Sequence, residues 1–184
     1  MQATKIYEVN TIKNLKDMIE QSTSLYGTKN AFYVKPLGGH EYKGITYSEF
    51  KKDLDAFGTA LLNLGLKDKF IAVIGENRYE WCVTYLSTVN GVGVIVPLDK
   101  ELPPSELQNL LNRSNASAVV YSGKHHENIR DISGKVTSLK YFINMDANEH
   151  TDDEYLSLKK LISEGKDQIV KGNFDYINAK VDEN

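Results

Sequence analysis

Residues 70–99, FIAVIGENRYEWCVTYLSTVNGVGVIVPLD, decide the fold. An apolar run, Phe70 to Ile74, opens the stretch and a valine-rich run, Val92 to Leu98, closes it; neither alternates with polar residues, so both read as strands buried on two faces. Between them Trp81, Cys82, Tyr85, Leu86 and Val89 recur at spacings of three and four, the period of a helix with one apolar face. That separation is too long for a hairpin and suits a right-handed crossover between parallel strands. Gly91 is placed to stop the helix, Gly93 to admit close backbone approach, and Pro97 lies in the second strand. On this reading Trp81 is a packing anchor, Cys82 is core, and Asn77 caps the helix with Arg78 on its polar edge.

Upstream, Ile12, Leu15, Met18, Ile19 and Leu25 keep a helical period, with Asn10 or Thr11 available as the cap. Ala31 to Val34 and His40 to Ile45 read as a small hairpin turning through Lys35 to Gly39. In ITYSEF, Thr46 and Glu49 are spaced as a capping box around Tyr47, and Phe50, Leu54, Phe57, Leu61 and Leu64 form the apolar stripe of the helix that follows. Gly65 is its natural stop, with Leu66 folding back.

Downstream, Pro104 suits the first turn of a helix carrying Leu107, Leu110 and Leu111. Ala118 to Tyr121 and Tyr141 to Met145 are further strands, with a short helix over Lys124 to Ile132 between them. Asp152, Asp153 and Glu154 suit the start of a last helix ending at Gly165. Alternating strands and helices make this an α/β domain: a mainly parallel sheet of about four strands with flanking helices, plus the N-terminal hairpin. Residues 1–165 form that unit; residues 166–184, with scattered apolar positions, read as a connecting tail.

Composition narrows the function. The chain has 184 residues, 41% of them hydrophobic, and 22 basic against 25 acidic side chains, net charge −3. That balance lacks the footprint of a nucleic-acid binder. One cysteine excludes an internal disulfide, and no run is long or apolar enough for a transmembrane segment. A cytoplasmic setting is expected. Ligands of such sheets collect beyond the carboxyl ends of the strands, here Gly75 to Arg78, Asp99 to Pro103, Ser122 to Lys124 and Asp146 to His150. Asp99 and Lys124 are the ionisable residues best placed for ligand contact, although a solvated loop charge is the simpler reading of each. The four histidines have no partner at zinc-ligand spacing, so no metal site is expected. No phosphate loop, dinucleotide fingerprint, nucleophile elbow or zinc-protease motif occurs, so the residues alone yield a fold and no reaction.

ITYSEF (residues 45–50), IAVIGENRYEW (71–81) and VNGVGVIVPLDKELPPSEL (89–107) together resemble the opening of the adenylate-forming enzymes, the superfamily of acyl-CoA synthetases, luciferases and peptide-synthetase adenylation domains. The closest likeness is to bacterial long-chain fatty-acid CoA ligases, and it runs from about Tyr7 to about Ser122. The resemblance implies, for a full-length enzyme, activation of a carboxylate with ATP and magnesium and transfer of the acyl group to CoA. A fatty acid is the implied substrate, and peripheral membrane contact of the full-length protein is a further expectation. The family's phosphate loop, aromatic-Thr-Glu motif, ribose-binding aspartate and C-terminal lysine are absent before Asn184. This stretch therefore reads as an N-terminal piece without catalytic residues or cofactors of its own, whose partner is the remainder of its chain. The matching positions Thr46, Tyr47, Glu49, Asn77, Trp81, Gly91, Gly93 and Pro97 carry structural roles. In some relatives the neighbouring loops border the CoA site, which favours Asp99 and Lys124 as contacts there. The alternative is a non-catalytic binding or scaffold module of the same fold, which would expose an apolar patch at the sheet edge or along the tail.

Overall fold

The computed structural model describes residues 10–35, 39 and 41–181. Helix α1 (Leu15–Tyr26) leads to the antiparallel hairpin β1 (Asn30–Val34) and β2 (Lys43–Thr46). Most of its Lys35–Gly39 turn, and His40, lie outside the described residues. The cap of α1 is Asn14, whose Oδ1 accepts from the Asp17 amide at 2.9 Å, and not Asn10 or Thr11. Thr46 starts α2 (Tyr47–Asn63) through the expected capping box: the Glu49 amide donates to Thr46 Oγ1 at 3.1 Å, and the Thr46 amide donates to Glu49 Oε2 at 2.8 Å. We expect Thr46→Ala to lower stability by about 1 kcal/mol, read as a shift in the urea midpoint at unchanged slope. Tyr47, the first helical residue, donates its amide to Lys29 O at 3.0 Å and sets its ring 5.9 Å from that of Tyr26. At the other end Leu66 N and Gly65 N bond to Leu61 O and Leu62 O, closing the helix as expected.

Next come β3 (Phe70–Ile74), α3 (Tyr79–Val89), β4 (Val94–Leu98), α4 (Pro104–Ser114), β5 (Ala118–Tyr121), a 3₁₀ turn at Gly123–His125, α5 (His126–Ser133), β6 (Tyr141–Asn144), β7 (Tyr155–Ser157) and α6 (Leu158–Val170). The decisive pair is parallel, Phe70 opposite Val94 through Ile74 opposite Leu98. All strands of the main sheet are parallel, in the order β4-β3-β5-β6-β7. The sheet thus has five strands where about four were expected. The additional one is β7: residues read as the first helical turn pair with β6 instead, and Ser157 caps α6 by accepting from the Lys160 amide at 3.1 Å. Three residues are too few to display alternation.

Successive residues of β3 point to opposite faces. Ile71 and Val73 join Phe50, Leu54, Phe57 and Leu61 of α2 and Leu161 of α6 in one core, while Ala72 and Ile74 meet Leu107 and Leu111 of α4 and Ile129 of α5 in the other. Three layers result, with helices on both faces of the sheet.

Two expectations for the central helix need correction. The deeply buried face of α3 is Val83, Thr84, Ser87 and Thr88, and Trp81 and Cys82 are only half-buried against the core. Small hydroxyl residues let α3 lie close to its neighbours because their polar atoms are satisfied locally: Thr84 and Thr88 bond to the carbonyls four residues back at 2.8 Å, and Ser87 reaches Leu54 O at 3.1 Å. Trp81 is displaced to the flank, stacked on Tyr85 at 5.4 Å. Asn77 is exposed, and the cap position belongs to Arg78, which makes no side-chain cap bond.

Gly91 follows the C-cap Asn90 with φ +151°, and a Cβ on Gly93 would lie 2.2 Å from Lys69 O, so the expected close approach is real. Pro97 is explained by register. Val94 N donates to Lys69 O at 3.0 Å, so in a parallel pair the backbones of Val94, Val96 and Leu98 face β3, and those of Ile95 and Pro97 face outward. The amide that proline lacks is one β3 does not use.

Candidate functional site

The chain runs from β3 to β4 on one side of the sheet and returns to β5 on the other. A crevice therefore opens beyond the carboxyl ends of β3 and β5, the topological switch point where open α/β sheets place ligands. Three loops meet there: Gly75–Arg78 after β3, Ser122–His125 after β5 and Met145–Asp146 after β6.

Their charged side chains are tied to one another. Arg78 grips Asp146 through both terminal nitrogens, at 3.0 and 2.8 Å, and its Nε reaches Glu80 at 2.7 Å. Gly123 N donates to Asp146 Oδ2 at 2.6 Å, and Lys124 Nζ lies 2.9 Å from Glu76 Oε1. Desolvation alone would raise the Glu76 carboxyl, but hydrogen bonding from Lys124 and the local backbone brings it down to about 2. Asp146 is likewise held below the usual carboxylate range: the Arg78 and Gly123 bonds overcome its desolvation. For Arg78 the two carboxylates outweigh burial and raise its guanidinium.

These depressed carboxyls stabilise the fold above their ordinary values near 4, and that stability is lost as pH falls through the folded values. We expect the urea midpoint to drop as pH falls from about 4.5 to about 2. In the double variant Glu76→Gln, Asp146→Asn that slope should flatten.

Of the two residues singled out for ligand contact, Lys124 stands at the crevice. Its side chain is 78% exposed despite the ion pair, so the ammonium is reachable. Asp99 lies at the end of β4, on the far side of β3, where it accepts from the Glu101 amide at 2.8 Å and stays exposed. The structure does not bring the two together. The strongest crosslink of the site, Arg78–Asp146, spans 68 positions and is visible only once β3 and β6 are both in the sheet. A separate groove of about 320 Å³ holds Tyr79, Asp53 and Lys166, with Asp53 accepting at 2.8 and 2.7 Å. Burial, then the Asp53 charge, raises the Tyr79 phenol, so the group supplies no base. Burial also raises the Cys82 thiol, away from an activated nucleophile. Among the described residues no three His, Cys, Asp or Glu side chains converge as a metal site.

The sheet order, with charged loops around its switch-point crevice, defines a doubly wound α/β domain. The family description AMP-binding enzyme matches residues 19–173, and the chain belongs to that family. It is 30% identical over 107 residues to fatty acyl-CoA synthetase A of Dictyostelium discoideum, covering 58% of this chain and 16% of that protein. It is 31% identical over 90 residues to the nonribosomal peptide synthetase easA of Emericella nidulans, covering 48% of this chain and 1% of that protein. Among solved structures, anthranilate CoA ligase AuaEII with anthranoyl-AMP superposes with TM-score 0.71 at 18% identity, over 85% of this chain and 28% of that one. The 184 residues thus span a small part of the length of the proteins they match. No helix of the described residues is long and apolar enough to cross a membrane.

Proposed function

We propose that residues 1–165 are the N-terminal subdomain of an ATP-dependent acyl-CoA synthetase of the long-chain fatty-acid type, and that residues 166–184 lead toward the remainder of that enzyme. The complete enzyme uses Mg-ATP to join a fatty acid to AMP with release of pyrophosphate, and CoA then displaces the AMP to give the acyl-CoA. The observation that carries this reading is the family match across most of a chain that spans 16% of an acyl-CoA synthetase.

Within this stretch no residue acts on the reacting atoms. Arg78, Asp146, Glu80, Glu76 and Lys124 spend their charges on one another and hold three loops at the crevice in fixed relation. That is a positioning task, one that presents a rigid edge to the parts that bind ATP. Lys124, exposed beyond its ion pair, fits a single contact to an anionic group on the CoA side, and Asp99 marks the other flank of the same edge. On this reading the enzyme is cytoplasmic, and its full-length form is peripheral at the membrane.

The test is ATP-pyrophosphate exchange across a panel of fatty acids of graded length, run on the 184-residue chain and on the polypeptide that includes the sequence following it. Exchange stimulated by long-chain acids in the longer polypeptide, and none in the shorter, is the expected result. Exchange by the 184-residue chain alone, or none by the longer one, overturns the proposal.

A further inference from the structure

The loop between β6 and β7 is fastened at its outer end by a histidine that works with both ring nitrogens. His150 Nδ1 accepts from the Ser157 amide at 2.9 Å, on the outward side of β7, and His150 Nε2 stands 3.3 Å from both carboxylate oxygens of Glu164 in α6. A backbone amide can only donate, so Nδ1 must be bare and the ring proton must sit on Nε2, aimed at Glu164. One strand amide thus sets the tautomer.

A second ring proton is incompatible with this arrangement. It would put one N–H against another at Ser157, a fully buried residue whose amide has no water to turn to. The same proton makes the ring a better partner for Glu164. Protonation therefore exchanges one partner for the other. The charged groups around the ring are already committed or face water: Lys160 of α6 pairs with Glu149 at 3.1 Å, Lys159 reaches Asn148 Oδ1 at 3.1 Å, Asp152 accepts the Glu154 and Tyr155 amides at 2.9 and 2.7 Å, and Asp153 and Glu154 are exposed. Carboxylates and ammoniums as classes keep their charge between about pH 5 and 8, where imidazoles change theirs. The other imidazole near β7 is His126, which bonds Tyr121 Oη at 3.0 Å and lies 6.4 Å from the Tyr155 ring.

We infer that His150 is a proton-operated latch on the β6–β7 loop. With one proton the ring fastens the loop to β7 and α6; with two it lets go of Ser157 and stays with Glu164. The loop begins at the crevice, where Asp146 takes the Gly123 amide and Arg78, and Ala147 O is held by Ser157 Oγ at 2.6 Å. Release at Ser157 therefore loosens the outer half of a segment whose inner half shapes the crevice. The latch goes beyond the ligase reading and stands on the geometry of this chain alone.

Amide hydrogen exchange on the 184-residue chain tests it. Protection of the Ser157 amide, taken relative to the unstructured rate at each pH, should fall about tenfold or more between about pH 7.5 and 5.5. Val120 and Ile143, paired inside the sheet, should keep theirs. His150→Ala should show the low Ser157 value at both pH values, and His126→Gln should keep the fall. Unchanged protection in the parent chain, full protection in His150→Ala, or a fall that vanishes in His126→Gln each overturns the latch. Nitrogen shifts of the His150 ring in the parent chain give a reading that needs no variant. A proton on Nε2 alone at about pH 7.5, and a second uptake sharing its midpoint with Ser157 release, are expected; a proton on Nδ1 at that pH, or separate midpoints, overturns it.

Discussion

Gly165→Ala should destabilise the chain by on the order of 2–4 kcal/mol, even though alanine is the better helix former. Gly165 lies inside α6, where an isolated glycine costs roughly 1 kcal/mol relative to alanine. Propensity alone therefore predicts a gain. Packing predicts the reverse: a Cβ at this position would stand 1.9 Å from Ala56 O and 2.6 Å from Ala56 C, both backbone atoms of α2. No rotamer change relieves a clash with main chain, so α2 and α6 must separate. Those helices carry Phe57, Leu61, Leu158 and Leu161 of the same core, and parting them opens it along its length. Gly134→Ala is the matched control: its φ is −72° and a Cβ there meets nothing within 4 Å. Urea melts should show a large downward shift for the first and little change for the second. A neutral Gly165→Ala would mean that the two helices do not meet closely.

The same glycine shows where reading the sequence stops. Gly65 and Gly165 both follow helical periodicity and both read as stops; Gly65 is one, and Gly165 is a contact with α6 continuing to Val170. Nothing local distinguishes them, because the decisive atom belongs to Ala56, more than a hundred positions away. The central strand-helix-strand unit and the capping box were legible because their signals are local: a run of buried residues, a crossover length, a hydroxyl three residues ahead of a carboxylate. The inward face of α3 was not, since hydrophobicity favours Trp81 and Leu86, and the helix approaches its neighbours through Thr84, Ser87 and Thr88. At the site, Lys124 was legible as a strand-end residue. In the sequence Arg78 reads as a helix-edge charge, and Asp146 only as part of a loop. Their pairing requires the strand order, in which β5 lies between β3 and β6 and brings the ends of all three together.

Tyr176→Ala should cost about 3–5 kcal/mol, the range for truncating a buried aromatic, although the residue lies in a polar stretch that reads as a tail. The side chain is 2% exposed, and its hydroxyl donates to Ser87 O at 3.0 Å. Its ring occupies the space over Gly58, where a Cβ would meet ring carbons at 2.2 Å, so α2 and α3 both shape the socket. Burial pushes the phenol well above its ordinary range, and the Asp55 charge adds to the shift. Around this anchor the backbone is gripped from α1: Lys16 Nζ donates to the carbonyls of Tyr176, Ile177 and Ala179 at 3.3, 2.8 and 2.6 Å. Desolvation lowers the Lys16 ammonium, yet three carbonyl partners hold it in place. Removing the ring should release this segment, so Lys16→Met should cost much less in the Tyr176→Ala background than alone, a coupling readable in a double-mutant cycle. Tyr176→Phe isolates the hydroxyl and should cost about 1 kcal/mol. Additive effects of Lys16→Met and Tyr176→Ala would show that the lysine grips the segment independently of the ring, and a Tyr176→Ala chain as stable as its parent would show that residues 173–181 lie loosely on the surface.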